Sequence, residues 1–112
     1  MSGIPFRVDG KGRVFVSWMS REKVYWSLSD AAGNRFAKRI AAPEGGEQGS
    51  SIVLMNRKGE VFLAWKEDQQ VKWAIYAQEG KPTGEKGTAG RLPGTNKPTA
   101  FVGPDDAFYL VF

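Results

Sequence analysis

Seven side chains have the types that a surface for polar ligands needs, and they lie in polar loops or at the ends of apolar runs. Indole rings can stack on sugars or bases, while charged and amide groups bind polar or anionic partners. These candidate ligand-binding residues are Trp18, Arg21, Trp65, Lys66, Asp68, Asn96 and Lys97. The two tryptophans have a second interpretation, because their regular spacing also suits side chains that pack in a core.

Catalytic chemistry finds little support in the sequence. The chain has no Cys and no His, which excludes a thiol nucleophile, a histidine base and disulfide bonds. Ser50 and Ser51 therefore lack a histidine partner, and Gly10 and Gly12 precede a strand-like run rather than the helix of a phosphate-binding loop. We predict no catalytic residue and no cofactor, and we favour a protein that is not an enzyme.

Two pairs of adjacent carboxylates are candidates for binding a hard cation. They are Glu67-Asp68 and Asp105-Asp106. The second pair follows Pro104 at a position where Asp is explained by turn geometry. We therefore predict no metal site.

The net charge of +4 comes from Lys and Arg residues that are scattered from Arg7 to Lys97. A scattered excess is typical of a solvated surface, so nucleic acid is not favoured as a partner. No apolar run has the roughly 18 to 20 residues that a membrane span requires. Residues 1–7 also lack the apolar stretch of a signal peptide.

The elements that carry these side chains recur with a period of 47 residues. Residues 9–18 align without a gap on residues 56–65, and a second shift of 47 brings in residues 103–112. Polar turns fall on polar turns, as at Lys11-Gly12 and Lys58-Gly59, and apolar residues fall on apolar ones. A period in the 40s is typical of β-propeller blades.

Each copy of the repeat predicts short strands joined by turns, and no helix. The predicted strands are 5–8, 13–18, 23–29 and 35–41 in the first copy, 51–55, 60–65, 70–78 and part of 82–92 in the second, and 99–102 and 107–112 in the third. The run at 13–18 is apolar on both faces, which indicates a sheet buried on both sides. The third copy has no third strand, so we expect an unpaired edge at 107–112 and association through it.

The predicted fold is therefore all-β, with antiparallel four-stranded propeller blades in a single domain over residues 1–112. Blade 1 spans about 4–47, blade 2 about 50–94, and a half blade covers 97–112. Propellers normally close with four to eight blades, so the propeller is incomplete. Three explanations stay open: the residues belong to a longer protein, chains complete one another in a homo-oligomer with a dimer favoured, or the strands close into a different fold.

The repeat resembles the sialidase-type propellers, which are also called BNR or Asp-box propellers. The likeness lies in the strands at 12–18 and 59–65 and in a turn where Ser29, Asp30, Gly33 and Phe36 keep the order of the Asp box. The spacing from Ser to Asp to Gly differs from that of the family, and residues 76–83 lack both the Ser and the Asp. The resemblance implies sialidase-like blades and a periplasmic or secreted location. It implies no activity, because the box is a structural turn in that family.

The sequence leads to two functional hypotheses. The first is a non-enzymatic binding or interaction module, whose rim loops meet a polar or anionic ligand, such as a glycan, or a protein. That rim would gather the loops at 19–23, 42–50, 66–69 and 93–98. The alternative is a fragment of a sialidase-like glycoside hydrolase propeller, with its catalytic residues outside this chain.

Overall fold

The structure, a computed structural model, describes residues 6–8, 13–21, 23–29, 39–42, 47–77 and 80–112. These residues form strands and turns, and they contain no helix. The strands are β1 (Phe6–Val8), β2 (Val14–Ser20), β3 (Lys23–Leu28), β4 (Ile40–Ala41), β5 (Gln48–Met55), β6 (Val61–Glu67), β7 (Gln70–Tyr76), β8 (Pro82–Arg91), β9 (Thr99–Val102) and β10 (Phe108–Val111).

The strands form three antiparallel sheets in which chain neighbours are also spatial neighbours. The first sheet has the order β1-β2-β3-β4, the second has the order β5-β6-β7-β8, and the third consists of β9 and β10. The prediction of an all-β chain with antiparallel sheets is therefore confirmed. β2, β6 and β10 begin at Val14, Val61 and Phe108, which are 47 positions apart, whereas β1, β5 and β9 begin at Phe6, Gln48 and Thr99 and do not keep this offset.

Turn chemistry explains where the strands reverse. β6 and β7 are joined by the two residues Asp68 and Gln69, which have φ values of 52° and 66°. Two residues with positive φ form the type I′ turn, whose twist matches that of the adjoining strands.

No helix of the described residues has the length and apolar character needed to cross a membrane.

The β5–β6 and β9–β10 hairpins use a longer turn with one common geometry. Asn56 N donates to Glu60 O at 3.1 Å, and Gly103 N donates to Ala107 O at 2.9 Å. The left-handed residue of each turn is Gly59, at φ 84°, and Asp106, at φ 65°. In such a three-residue loop the last residue takes the left-handed conformation, and the two strands then pair directly after the turn. The corresponding turn at Lys11-Gly12 lies outside the described residues.

Most strands have ends within two residues of the predicted bounds, and β4 and β5 differ by more than that. β5 begins at Gln48, three residues before the predicted 51, because Gln48 and Gly49 pair with Glu67 and Lys66 of β6. The strand predicted at 35–41 is described only as Ile40–Ala41, since 35–38 lie outside the described residues. The early start of β5 depends on pairing across the sheet, which local patterns do not encode.

Two apolar layers separate the three sheets, so that the central strand β6 of the second sheet is buried on both faces, whereas β8 at its edge is mostly exposed. Val61, Leu63 and Trp65 of β6 face the first sheet, while Phe62 and Ala64 face the third. The layer toward the first sheet includes Phe15, Val24, Trp26, Val53, Ala74 and Tyr76, and the layer toward the third sheet includes Leu54, Ala100, Val102, Phe108 and Leu110. This double burial explains the continuous apolar run in β6.

The first and second sheets also meet at the turn between β7 and β8. Gly80 has φ 89°, and a Cβ atom there would lie 2.5 Å from Ile40 Cδ1 of β4. Only glycine combines this backbone conformation with so close an approach. The ring of Trp26 lies nearby, with its centroid 5.0 Å from that of Tyr76.

Candidate functional site

A buried polar cluster fixes one end of the second sheet. Glu67 is 2% exposed, and its Oε1 accepts hydrogen bonds from Gln48 Nε2 at 2.8 Å and Trp65 Nε1 at 3.0 Å. Its Oε2 accepts a hydrogen bond from Lys72 Nζ at 2.9 Å. Gln48 Oε1 in turn accepts from the backbone N–H of Val24 at 2.8 Å. The cluster therefore ties β5, β6 and β7 to β3 of the first sheet and places their turns at one common rim.

The loop after β8 folds over this rim and is held by Lys66. Lys66 Nζ donates to the carbonyl oxygens of Gly94 and Asn96, both at 2.8 Å. Asn96 Nδ2 donates to Pro93 O at 3.2 Å, and Leu92 N donates to Gln69 O at 2.8 Å. Lys66 thus acts as a cationic anchor for loop carbonyl groups.

The two carboxylates of Glu67 and Asp68 have separate roles. Glu67 is inside the buried cluster, whereas Asp68 is exposed in the β6–β7 turn and its Oδ1 accepts from Glu47 N at 3.3 Å. In the part of the chain that the structure describes, no three His, Cys, Asp or Glu residues are grouped so as to hold a metal ion.

The structure brings most of the predicted ligand-binding residues to the rim but gives them different exposures. Arg21, Asp68, Asn96 and Lys97 are exposed there, and Lys66 is partly covered by its loop. Trp65 is 2% exposed, with its N–H on Glu67, so its ring offers no face to a ligand. Trp18 is half-buried and stacks on Tyr25 at a centroid distance of 6.0 Å. Ligand binding at this rim stays a prediction.

One residue of the Asp-box-like turn lies among the described residues. Ser29 is fully buried, and its Oγ accepts a hydrogen bond from the backbone N–H of Val14 at 2.7 Å. The side chain therefore supports pairing between the ends of β2 and β3. Asp30, Gly33 and Phe36 lie outside the described residues.

The third sheet exposes an apolar face on the side away from the second sheet. Phe101 is 50% exposed, Tyr109 42% and Val111 49%. The rings of Phe101 and Tyr109 stack with centroids 5.1 Å apart and planes inclined by 9°. Sequence reasoning predicted an unpaired edge at 107–112 but not this face. The sequence does not show which face is buried, because β10 has an apolar residue at every position.

The β9–β10 turn is clamped onto the β5–β6 turn by Asp106, which is 9% exposed. Asp106 Oδ1 accepts from the backbone N–H of Arg57 at 2.7 Å, and Oδ2 accepts from that of Lys58 at 3.3 Å. Asn56 Nδ2 donates to Asp106 O at 3.2 Å, and Arg57 donates from its guanidinium to Pro104 O at 2.9 Å. These contacts hold the third sheet in a fixed position against the second.

Asp105, the neighbour of this clamp, belongs to the exposed side of the same turn. Its Oδ2 accepts from the Tyr109 hydroxyl at 2.6 Å, which holds the pKa of Asp105 below its ordinary value. The same bond raises the pKa of Tyr109. The pair orients the Tyr109 ring on the exposed face.

A cavity of about 230 Å³ lies between β4 and the β7–β8 pair. Its lining includes Ile40, Ile75, Tyr76 and Pro82, so it is mainly apolar. Burial raises the pKa of the Tyr76 hydroxyl, and the Trp26 indole partly offsets this. The volume is below the roughly 300 to 1,000 Å³ of most small-molecule sites.

Comparison with known proteins adds no relative: no family model, no curated protein and no solved structure matches this chain.

Proposed function

We propose that the chain is a non-enzymatic interaction module built from propeller-type blades. Three observations support the blade architecture: two four-stranded sheets in chain order, starts of β2, β6 and β10 that lie 47 positions apart, and face-to-face stacking through apolar layers. The two sheets correspond to blades, and the β9–β10 pair corresponds to the inner half of a third. The resemblance to sialidase-type propellers leads to the same interpretation.

The docking surface of this module is the outer face of the third sheet, and its partner is a second copy of the chain. The observation that carries the proposal is the exposed apolar group of Phe101, Tyr109 and Val111. Contiguous apolar patches mark interaction sites, whereas isolated apolar residues do not. β9 and β10 contain no charged residue, although native edges that avoid association normally carry one. The two strands therefore bring no like charges together when such faces stack, and the exposed carboxylate of Asp105 lies beyond them in the turn.

The test compares two single substitutions that add the same charge at different exposed strand positions. Val111→Lys places an ammonium group in the apolar face, while Thr88→Lys places one on β8, outside that face. Sedimentation velocity from low micromolar to several hundred micromolar concentration measures association. We expect Val111→Lys to weaken association by at least about tenfold, because a buried unpaired charge opposes docking, and Thr88→Lys to leave it unchanged. Equal association of Val111→Lys and the unmodified chain would overturn the proposal.

A further inference from the structure

We propose that an extended strand of a partner polypeptide binds beside β10 and forms a third strand of the third sheet. The inference rests on the proposed function, and it adds a second contact of different geometry: the edge of the sheet rather than its outer face. The residues that define it are Phe108 and Leu110 on β10 and Trp73 and Ile75 on β7.

The edge of β10 directs backbone groups away from β9. Gly103 and Ala107 form a hydrogen-bonded pair next to the turn. Hydrogen-bonded and non-hydrogen-bonded pairs alternate along antiparallel strands, so Phe101 and Tyr109 form the next bonded pair. The N–H and C=O groups of Phe108 and Leu110 therefore point outward. In the described part of the chain, β9 is the only strand paired with β10.

An apolar surface lies directly beside this edge. β10 lies above β6, since the Phe108 ring stacks on that of Phe62 at 4.9 Å. The space next to β10 is consequently above β7, the neighbour of β6. Trp73 and Ile75 of β7 belong to the layer between the second and third sheets, yet they are only half-buried. We call the space between these two residues and the β10 edge the strand slot.

The contact between the first two sheets indicates what fills the strand slot. Trp26 of the first sheet and Trp73 of the second are 47 positions apart. Trp26 is fully buried, and Tyr76 of β7 packs on it at a centroid distance of 5.0 Å. Trp73 is half-buried, and its ring packs along Gly87 of β8 and on Phe62. A partner strand could cover Trp73 in the same way that β7 covers Trp26. Its residue equivalent to Tyr76 would then be aromatic, and its residue equivalent to Ala74 would be small.

A second copy of β10 does not fit this slot. Antiparallel pairing of β10 with itself requires a twofold axis perpendicular to the sheet, which leaves both second sheets on the same side. β7 and β8 of each copy would then overlap with the second sheet of the other copy, because both would lie directly beneath the same third sheet. A single extended strand avoids this overlap, and its addition to the edge of a sheet is the mode called β-augmentation.

The experiment uses a peptide with the sequence of residues 70–77 of this chain as the probe. A control peptide carries Ser in place of the residue that corresponds to Tyr76. Fluorescence anisotropy of the labelled peptides measures affinity for the intact chain. We expect saturable binding of the first peptide and at least about tenfold weaker binding of the second, because it loses the ring that covers Trp73.

Amide hydrogen exchange locates the bound strand. We expect slower exchange at Phe108 and Leu110 on peptide binding and no change at Tyr109 and Val111, whose amides already face β9. The Val111→Lys chain should bind the peptide normally, because that side chain is on the outer face. Absence of saturable binding, or binding that leaves the Phe108 and Leu110 amides unchanged, overturns the strand slot. If the peptide test fails but Val111→Lys still weakens self-association, the strand slot is ruled out and the proposed docking surface on the outer face is retained.

Discussion

At the residue scale, Glu67 determines the end of the second sheet. Its carboxylate accepts hydrogen bonds from Gln48, Trp65 and Lys72 while only 2% exposed. Glu67→Ala would leave these donors without their acceptor inside the core. We expect a loss of about 3 kcal/mol in the free energy of unfolding, measured by chemical denaturation.

The matched control for this substitution is Glu85→Ala, on an exposed position of β8. Surface substitutions without such contacts usually change stability by less than about 0.5 kcal/mol. If the two variants unfold at the same denaturant concentration, the buried cluster does not stabilise the rim as described.

Tyr76 makes stability depend on alkaline pH. Burial raises the pKa of its hydroxyl above the ordinary value of about 10. In the unfolded chain the hydroxyl ionises at the ordinary pKa, so ionisation favours unfolding. The contribution of Tyr76 to the free energy of unfolding is therefore complete below about pH 10 and is lost progressively as the pH rises above this value.

Tyr76→Phe tests this effect, because phenylalanine has no hydroxyl to ionise. Every other ionisable group is the same in both proteins, so the contributions of these groups cancel in the comparison. We expect thermal stability to fall less steeply above pH 10 in Tyr76→Phe than in the unmodified chain. Identical slopes would show that Tyr76 ionises equally easily in the folded and unfolded states.

At the element scale, Asp106 joins the β9–β10 hairpin to the β5–β6 hairpin. Asp106→Gly keeps a residue suited to positive φ but removes the carboxylate that accepts from Arg57 and Lys58. We expect the third sheet to open more easily, by about 1 to 3 kcal/mol, while β6 keeps its protection. Amide hydrogen exchange at Phe101 and Tyr109 measures this opening.

Asp105→Asn is the control at the neighbouring position. Asp105 is exposed and bonds to Tyr109 within its own hairpin, so its change should leave the junction between the two hairpins intact. Equal exchange rates in both variants would contradict the assigned role of Asp106.

The elements were largely predictable, because strand alternation and turn residues are local properties. The bounds of β9 agree with the prediction, and β6 and β10 lie close to theirs. The early start of β5 was not predictable, since it depends on pairing between Gln48 and Glu67. The burial of Trp65 was not predictable either. Its position near a strand end suggests a ligand platform, but in the folded chain its ring is buried and its N–H donates to Glu67.

At the scale of the whole molecule, the three sheets differ in how fully they are covered. The central strand β6 of the second sheet is buried on both faces, whereas β9 and β10 of the third sheet are covered on the face toward the second sheet and expose Phe101, Tyr109 and Val111 on the other. The outer face of the third sheet is therefore a surface where association would remove exposed apolar side chains from water. Apolar burial is the main favourable term in most protein association.

The mass of the unmodified 112-residue chain in solution tests the interaction module most directly. Light scattering over a concentration series gives this mass without a label or a shape assumption. The account predicts a mass that rises with concentration above the 12.3 kDa of one chain, toward a multiple of it. A constant mass of 12.3 kDa up to several hundred micromolar would contradict self-association through the third sheet.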